Sequence, residues 1–359
     1  MNNFNNGAPL TPKEWIEQNN DIVPCKNKVP AILGWSKQEN YIYNLDDWKK
    51  KFPNHQIGLI LKDKTDFDID NHFIGRFVKR YLKSCGAIYG RKSNPESHYL
   101  FLVELKSKKY VMPKELESYT KGFPHGSTLC EIRSGNGHQS IVPGSVINNE
   151  KVEWHKFAGI NSYDGDLEKD ISKIALSGAL SILYPSEGSR DDYCTAIAGV
   201  LSNHTSESEA DINEFVYNLA LLSDDHEPNK RMSKGTNAKN SKGNKFGMPK
   251  LAEIVGCNVK TIADLFSWVG VADSGSCFTA LKCYTTEPKY WQLEYKGKWI
   301  TIMDSSMLLS YTKISILILE NCYEVAPVIS PKDWKAIVAG LLQNVQKIDT
   351  PYEASYYGN

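Results

Sequence analysis

Three observations predict an α+β fold for this chain of 359 residues. Short β-prone runs alternate with helix-patterned stretches up to about residue 165, the apolar period becomes helical from about 170 to 270, and strand patterning returns after about 275. Three domains follow from those shifts. Residues 1–168 form a domain with a mixed sheet and flanking helices, 169–272 a small helical bundle, and 273–359 a small α+β module.

Element by element, TPKEWIEQ opens a helix, with Thr11 as cap followed by Pro12 and Glu14. A second helix begins near Asp46 and includes Trp48. The apolar run IGLIL at 57–61 reads as a strand, KDKT as a turn, and FDIDN at 67–71 as a second short strand. Phe73, Phe77, Val78, Tyr81 and Leu82 mark a helix over about 72–84. Strands follow at 97–105 (SHYLFLVEL), 127–134 (STLCEIRS) and 139–147 (QSIVPGSVI), the last broken by Pro143 and Gly144.

In the second part, Ser206 followed by Glu209 gives a capping box, and Ile212, Phe215, Val216, Leu219 and Leu222 mark one apolar face. Ser189 caps DDYCTAIAGVL, while Pro249 and Gly256 frame a further helix. Between 233 and 247 lies an insertion rich in Gly, Ser, Asn and Lys, expected to be a mobile surface loop. Beyond 275, YWQLEYKGKWITI reads as a hairpin turned at Lys296 and Gly297, with helices around 305–321 and 331–346.

Lys plus Arg and Asp plus Glu number 42 each, so the whole chain is no polycation, and local charge decides any nucleic-acid contact. Two basic segments qualify: Arg76, Lys79, Arg80 and Lys83 at helical spacing, and Lys230, Arg231, Lys234, Lys239, Lys242 and Lys245 in an interval without acids. The longest strongly apolar run, SILIL, is too short to span a bilayer, and MNNFNNGAPL lacks a signal pattern, so a cytoplasmic protein is expected. Eight scattered cysteines never form CxxC, which argues against a zinc ribbon or a disulfide framework.

The chemistry concentrates in the first domain. Asp68 and Asp70, two apart on a strand, share a face and suit a hard divalent cation. Asp66 shares the alternation, and a third acid at a strand end is expected to be solvated rather than liganding. In GRKSNPESHYLF, Arg91 and Lys92 precede a turn at Asn94-Pro95, with Ser97 and His98 at the strand mouth, a combination suited to polyphosphate. In CEIRSGNGHQ, Glu131 and Arg133 share a face; Gly135 and Gly137 then allow a tight turn, and Gln139, Ser140 and Ser145 offer hydrogen bonds. Each motif alone has a bland reading as a hydrogen-bonded strand end, a surface acid or a hairpin connection.

Taken in order, FDIDN, GRKSNPESHYLF and EIRSGNGHQSIVPGS resemble the primase-polymerase branch of the archaeo-eukaryotic primase superfamily found in phages and plasmids. NKVPAILGW, Trp48 and NHQIGLIL look like the family's N-terminal half, and residues 186–256 like the helical domain that often follows it, about three quarters of the chain in all. The resemblance implies template-directed nucleotidyl transfer with Mg²⁺ or Mn²⁺, acting on single-stranded DNA and nucleoside triphosphates, with a replicative helicase fused or separate. It implies Asp68, Asp70 and Glu131 as metal-binding catalytic acids, and Arg91, Ser97, His98 and Gln139 as nucleotide-binding residues. Many relatives carry aspartate where Glu131 stands.

Two other classes compete. A metal-dependent nuclease also uses clustered carboxylates, although the His-hydrophobe-His pair of the rolling-circle type is missing. A non-catalytic single-stranded-DNA-binding module would use the basic loop and aromatics, but bare carboxylates facing phosphates would repel its ligand.

Overall fold

In the computed structural model of this chain, Gln56–Ile69 is one continuous strand of 14 residues, and the first half of the molecule is arranged around it. Residues 7–205, 207–240, 247–271, 278–284, 290–295, 298–322, 331–343 and 346–348 are described. In chain order the elements are α1 (Pro12–Glu17), β1 (Ile22–Lys26), β2 (Val29–Pro30), α2 (Leu45–Lys51), β3 (Gln56–Ile69), α3 (His72–Tyr81), β4 (Ala87–Arg91) and β5 (Asn94–Phe101). Next come β6 (Lys108–Val111), β7 (Thr128–Ile141), β8 (Val146–Ile147), β9 (Glu150–Phe157), α4 (Leu167–Ile182), α5 (Arg190–His204) and α6 (Glu209–Leu222). Then follow α7 (Lys234–Asn240), α8 (Met248–Val255), α9 (Val259–Phe266), β10 (Phe278–Tyr284), β11 (Tyr290–Tyr295), β12 (Lys298–Ile302), α10 (Tyr311–Cys322), α11 (Pro331–Gln343) and β13 (Gln346–Ile348).

The α+β expectation holds, with one correction to the sheet. Every pairing in the first sheet is antiparallel, where a mixed sheet was expected. The reason is local: two-residue turns at Asn27-Lys28 and Lys92-Ser93 close hairpins, and parallel neighbours would need long crossovers. Asn27 and Lys28 both take positive φ, as a primed turn requires. The turn before Ser97 and His98 therefore sits at Lys92-Ser93 rather than Asn94-Pro95, and both residues lie inside β5.

KDKT does not turn. The register between β3 and β7 shifts from Leu61↔Gly135 to Thr65↔Ser134, so KDKT is absorbed as a bulge while the strand runs on. Likewise the two strands expected at 127–134 and 139–147 are one strand, β7, in which the residues between Gly135 and Gln139 bulge outward. Gly135 supplies the positive φ of 82° at that point.

On one side of the sheet lies the core around Trp15, Ile57, Leu59, Tyr89, Leu100 and Val142. α3 packs on β3 and against α4, where a Cβ on Gly178 would stand 2.2 Å from Ile74 Cδ1, so glycine sets how closely these helices cross. Tyr110 Oη and Ser172 Oγ, 2.8 Å apart, tie β6 to α4. The described residues up to Ser202 and from Glu207 to Thr261 form one compact unit.

Thr11 caps α1 as expected, and Glu14 completes a capping box with it. The box on α6 is Ser208 with Asp211, two residues beyond the expected Ser206 and Glu209; Ser206 itself lies outside the described residues. Pro at the start of α8 and Gly256 at φ 77° after it agree with the expected frame. Of the insertion expected to be a loop, Lys234–Asn240 is helical.

The second unit, from Ile262 onward with Asn203–Ser206, contains a sheet ordered β12-β11-β10-β13. The β11–β12 hairpin pairs Tyr295 with Lys298, and its turn at 296–297 lies outside the described residues. Trp334, 1% exposed, donates its indole N–H to Leu308 O at 2.8 Å and centres that unit's core. Among the described residues no helix is long and apolar enough to cross a membrane. Cys25, Cys85, Cys130 and Cys194 are buried free thiols, as the scattered cysteines suggested.

Candidate active site

Cross-strand register builds the site. Asp68 on β3 stands opposite His98 on β5 and opposite Glu131 on β7, and Asp66 stands opposite Arg133, so three adjacent strands present these side chains on one face. A cavity of about 410 Å³ opens over that face, lined among others by Asp68, Asp70, Arg91, Ser97, His98, Arg133 and Gln139. Glu131 and Arg133 share the face, as alternation predicted.

Asp66 overturns its expectation. It is fully buried rather than solvated, and its carboxylate accepts a hydrogen bond from Ser140 Oγ and meets His98 Nδ1 at 3.0 Å. Burial alone would raise its pKa, but His98, Arg133 and Ser140 outweigh burial and hold it below the usual aspartate range. His98 is pulled the other way: burial would lower its pKa, yet Asp68 and Asp66 together raise it. Tyr89 stacks on the imidazole, with centroids 4.7 Å apart and planes 5° from parallel. With Nδ1 committed to Asp66, Nε2 is the ring's remaining hydrogen-bonding atom at the cavity.

Arg133 bridges the acids. Its Nη2 lies 2.6 Å from Asp68 Oδ2 and its Nε 2.8 Å from Glu131 Oε2, while Lys109 also pairs with Glu131. Burial would raise the Glu131 pKa, but Lys109 and Arg133 bring it below the usual range. Asp70, just past the end of β3, meets His125 Nδ1 at 3.4 Å. Burial first, and then the Asp68 charge, push the Asp70 pKa up to about 6.

Asp66, Asp68 and Glu131 pair with His98, Arg133 or Lys109, whereas Asp70 pairs with His125 and its charge is the least balanced of the four. That imbalance fits a divalent cation on Asp68 and Asp70, whose hard oxygens suit Mg²⁺ or Mn²⁺. Glu131, the third expected ligand, pairs with Arg133 and Lys109, as Asp68 pairs with Arg133.

An ionised Asp70 costs stability, because its folded pKa lies above the unfolded value of ~3.8–3.9 and the native state holds the proton more tightly. The cost is absent at low pH and grows as pH rises through about 6. Taken whole, the shift corresponds to ~3 kcal/mol, which residual solvent contact reduces to ~1–2 kcal/mol. Asp70→Asn is therefore expected to stabilise the chain by that amount at pH 7.5 and hardly at pH 4. Urea melts at both pH values check it; an equal gain at both would rule out a charge effect.

The other expected residues divide. Arg91 and Ser97 line the cavity, Ser97 being 7% exposed. Gln139 lines it too, but its Nε2 donates to Lys28 O at 2.9 Å and so anchors the β1–β2 hairpin. Ser140 is spent on Asp66, and Ser145 Oγ accepts from Ile57 N at 2.8 Å, so neither faces a ligand.

The second basic segment is largely occupied. Arg231, 6% exposed, donates to Asp225 at 3.1 Å and to Asp191 at 2.6 Å, and Lys234 joins Asp191 at 2.6 Å. Lys230 pairs with Glu227, and Lys239 Nζ donates to Glu207 O at 2.8 Å. Arg231 and Lys234 thus pin α7 and its approach to α5, which is why they are not displayed as loop cations. Lys242 and Lys245 lie outside the described residues.

Arg133, Asp66, Tyr89, Lys109 and His125 are among the site residues not singled out as functional from sequence. Alternation with Glu131 and Asp68 could have flagged the first two; His125 arrives only through the fold, from a loop 55 positions after Asp70 in the chain. No family model and no curated protein matches the chain.

Proposed function

We propose that this chain is a template-directed nucleotidyltransferase, a DNA primase or DNA polymerase of the primase-polymerase type. The observation that carries the reading is the face shared by Asp68, His98 and Arg133 beneath a cavity that Asp70, Arg91 and Ser97 also line. Asp68 and Asp70 would hold a divalent cation, Mg²⁺ or Mn²⁺. When bound, such an ion activates the attacking hydroxyl and neutralises charge on the leaving phosphate.

His98, beside Asp68, and Arg91 would hold the triphosphate, His98 donating through Nε2 with its ring fixed by Asp66 and Tyr89. The proton on His98 is favoured by Asp68 and Asp66, which suits an anionic ligand. Arg133 pairs with both Asp68 and Glu131, and Glu131 would be the third metal-binding acid of this reading. Single-stranded DNA, nucleoside triphosphates and a helicase, fused or separate, are the partners of this reading, and the cytoplasm of a host cell its setting.

Purified chain incubated with single-stranded template, each nucleotide set in turn and Mg²⁺ or Mn²⁺, with and without primer, tests it. Template-dependent products are expected, and their length and sugar would separate primase from polymerase. Shortening of the DNA without incorporation would instead favour a nuclease.

A further inference from the structure

Beside Asp70, outside the cavity lining, the start of α3 and the loop 121–126 bring three rings together. The His72 and Phe73 centroids are 4.3 Å apart, and Phe123 lies 6.1 Å from His72 and 6.0 Å from Phe73. His72 is exposed and both phenylalanines are only half-buried, whereas a cluster serving the core would be sealed from water.

The loop is built to hold that ring outward. Gly122 and Gly126 take φ of +93° and +59°, and an added Cβ at either would meet nothing within 4 Å, so backbone shape rather than space demands glycine. Phe123 N donates to Thr120 O and Gly126 N to Phe123 O, both at 3.0 Å, closing successive tight turns around Phe123. His125 of the same loop meets Asp70 and lines the cavity, which makes the ledge continuous with the candidate active site.

Charge completes the pattern. Neither α3 nor the loop KGFPHG contains an acid, while together they carry Arg76, Lys79, Arg80 and Lys121. The Arg76 guanidinium lies 5.1 Å from the Phe73 centroid. It donates to Leu222 O at 3.0 Å and pairs with Asp224 at 3.3 Å, while Lys79 pairs with the half-buried Glu96 at 3.6 Å; ion pairs whose lysine or aspartate partner is open to water are weak enough for phosphates to compete. Rings interleaved with cations on two segments that contribute no acid of their own match unpaired nucleic acid, whose bases stack and whose phosphates seek positive charge.

We propose that His72, Phe73 and Phe123 form a stacking ledge for unpaired bases of single-stranded DNA, leading the strand to Asp70. That the strand serves synthesis rests on the function proposed above; that it binds here does not. The second basic segment, with Arg231 and Lys234 already ion-paired, is not needed for it.

The test is fluorescence anisotropy of the full chain with a labelled oligothymidylate at several salt concentrations. Phe73→Leu with Phe123→Leu keeps apolar bulk and removes the rings; binding is expected to weaken about tenfold or more, with an unchanged salt slope, because no phosphate contact is lost. Should that pair melt early, the exposed His72→Ala is the second variant, expected to weaken binding several-fold. Wild-type affinity in a folded pair variant and in His72→Ala, or no binding by the wild type, would overturn the ledge. A chain that binds through the ledge but incorporates nothing would fail the proposed function alone, and one that incorporates with unaltered binding in both variants would fail the ledge alone.

Discussion

Replacing Asp68 and Asp70 together by alanine is expected to abolish nucleotide incorporation while leaving the fold in place. The two carboxylates lie at and just past the end of β3 and line the cavity, and His125 and Arg133 only partly offset the burial and the Asp68 charge that oppose ionisation of Asp70. A cation held there contributes several kcal/mol of charge stabilisation in the transition state, so its loss corresponds to about a thousandfold or more in rate. Stability should move little. Loss of Asp68 removes one partner of Arg133, but Glu131 still accepts from its Nε at 2.8 Å, and loss of Asp70 relieves a repulsion. Single-turnover extension of a primed template, with circular dichroism alongside, reads both halves. Extension at the wild-type rate by a folded double variant would sink the polymerase assignment.

The contrast between the two acids separates function from stability. A residue kept for the fold loses stability when its charge is removed, whereas Asp70 is expected to gain it at neutral pH. Sites that pay stability for unbalanced charge are candidates for function on physical grounds alone.

How much of this was readable from residues depends on whether a signal is local. Alternation along β3 and β7 puts Asp68, Glu131 and Arg133 on one face, because a strand's period of two is a property of the backbone itself, and Asp70, just past the strand, lines the same cavity. Caps at Thr11 and Gly256 were legible for the same reason. KDKT and SGNGHQ were misread as breaks between strands, since a bulge and a turn share the same polar, glycine-containing chemistry and only the partner strand tells them apart. The reach of Arg231 to Asp191 and Asp225 spans 40 and 6 positions, and no periodicity announces the longer of these. His125 beside Asp70 is likewise a product of the tertiary fold.

Asp66 is where the sequence reading erred most and where a single substitution should cost most. A carboxylate that is 0% exposed is tolerable only with partners, and it has His98, Ser140 and the Tyr89 hydroxyl at 3.5 Å. Asp66→Ala strands all of them, so a loss of about 3–5 kcal/mol is expected at neutral pH, read as a lower urea midpoint with unchanged slope. The sign with pH follows from the depressed Asp66 pKa: its contribution is fully present above the unfolded aspartate value of ~3.9 and fades as pH falls through the folded one. The gap between wild type and variant should therefore narrow under acid. In those variant molecules that remain folded, the imidazole loses the group that fixes its Nδ1, and misplacement on that scale corresponds to about a hundredfold in kcat/KM. Asp66→Asn, which can still accept from Nδ1–H, should recover part of that activity while recovering little of the ionic stabilisation. If the alanine variant were as stable as wild type across the pH range, Asp66 would be a bystander and the orientation of His98 would need another source.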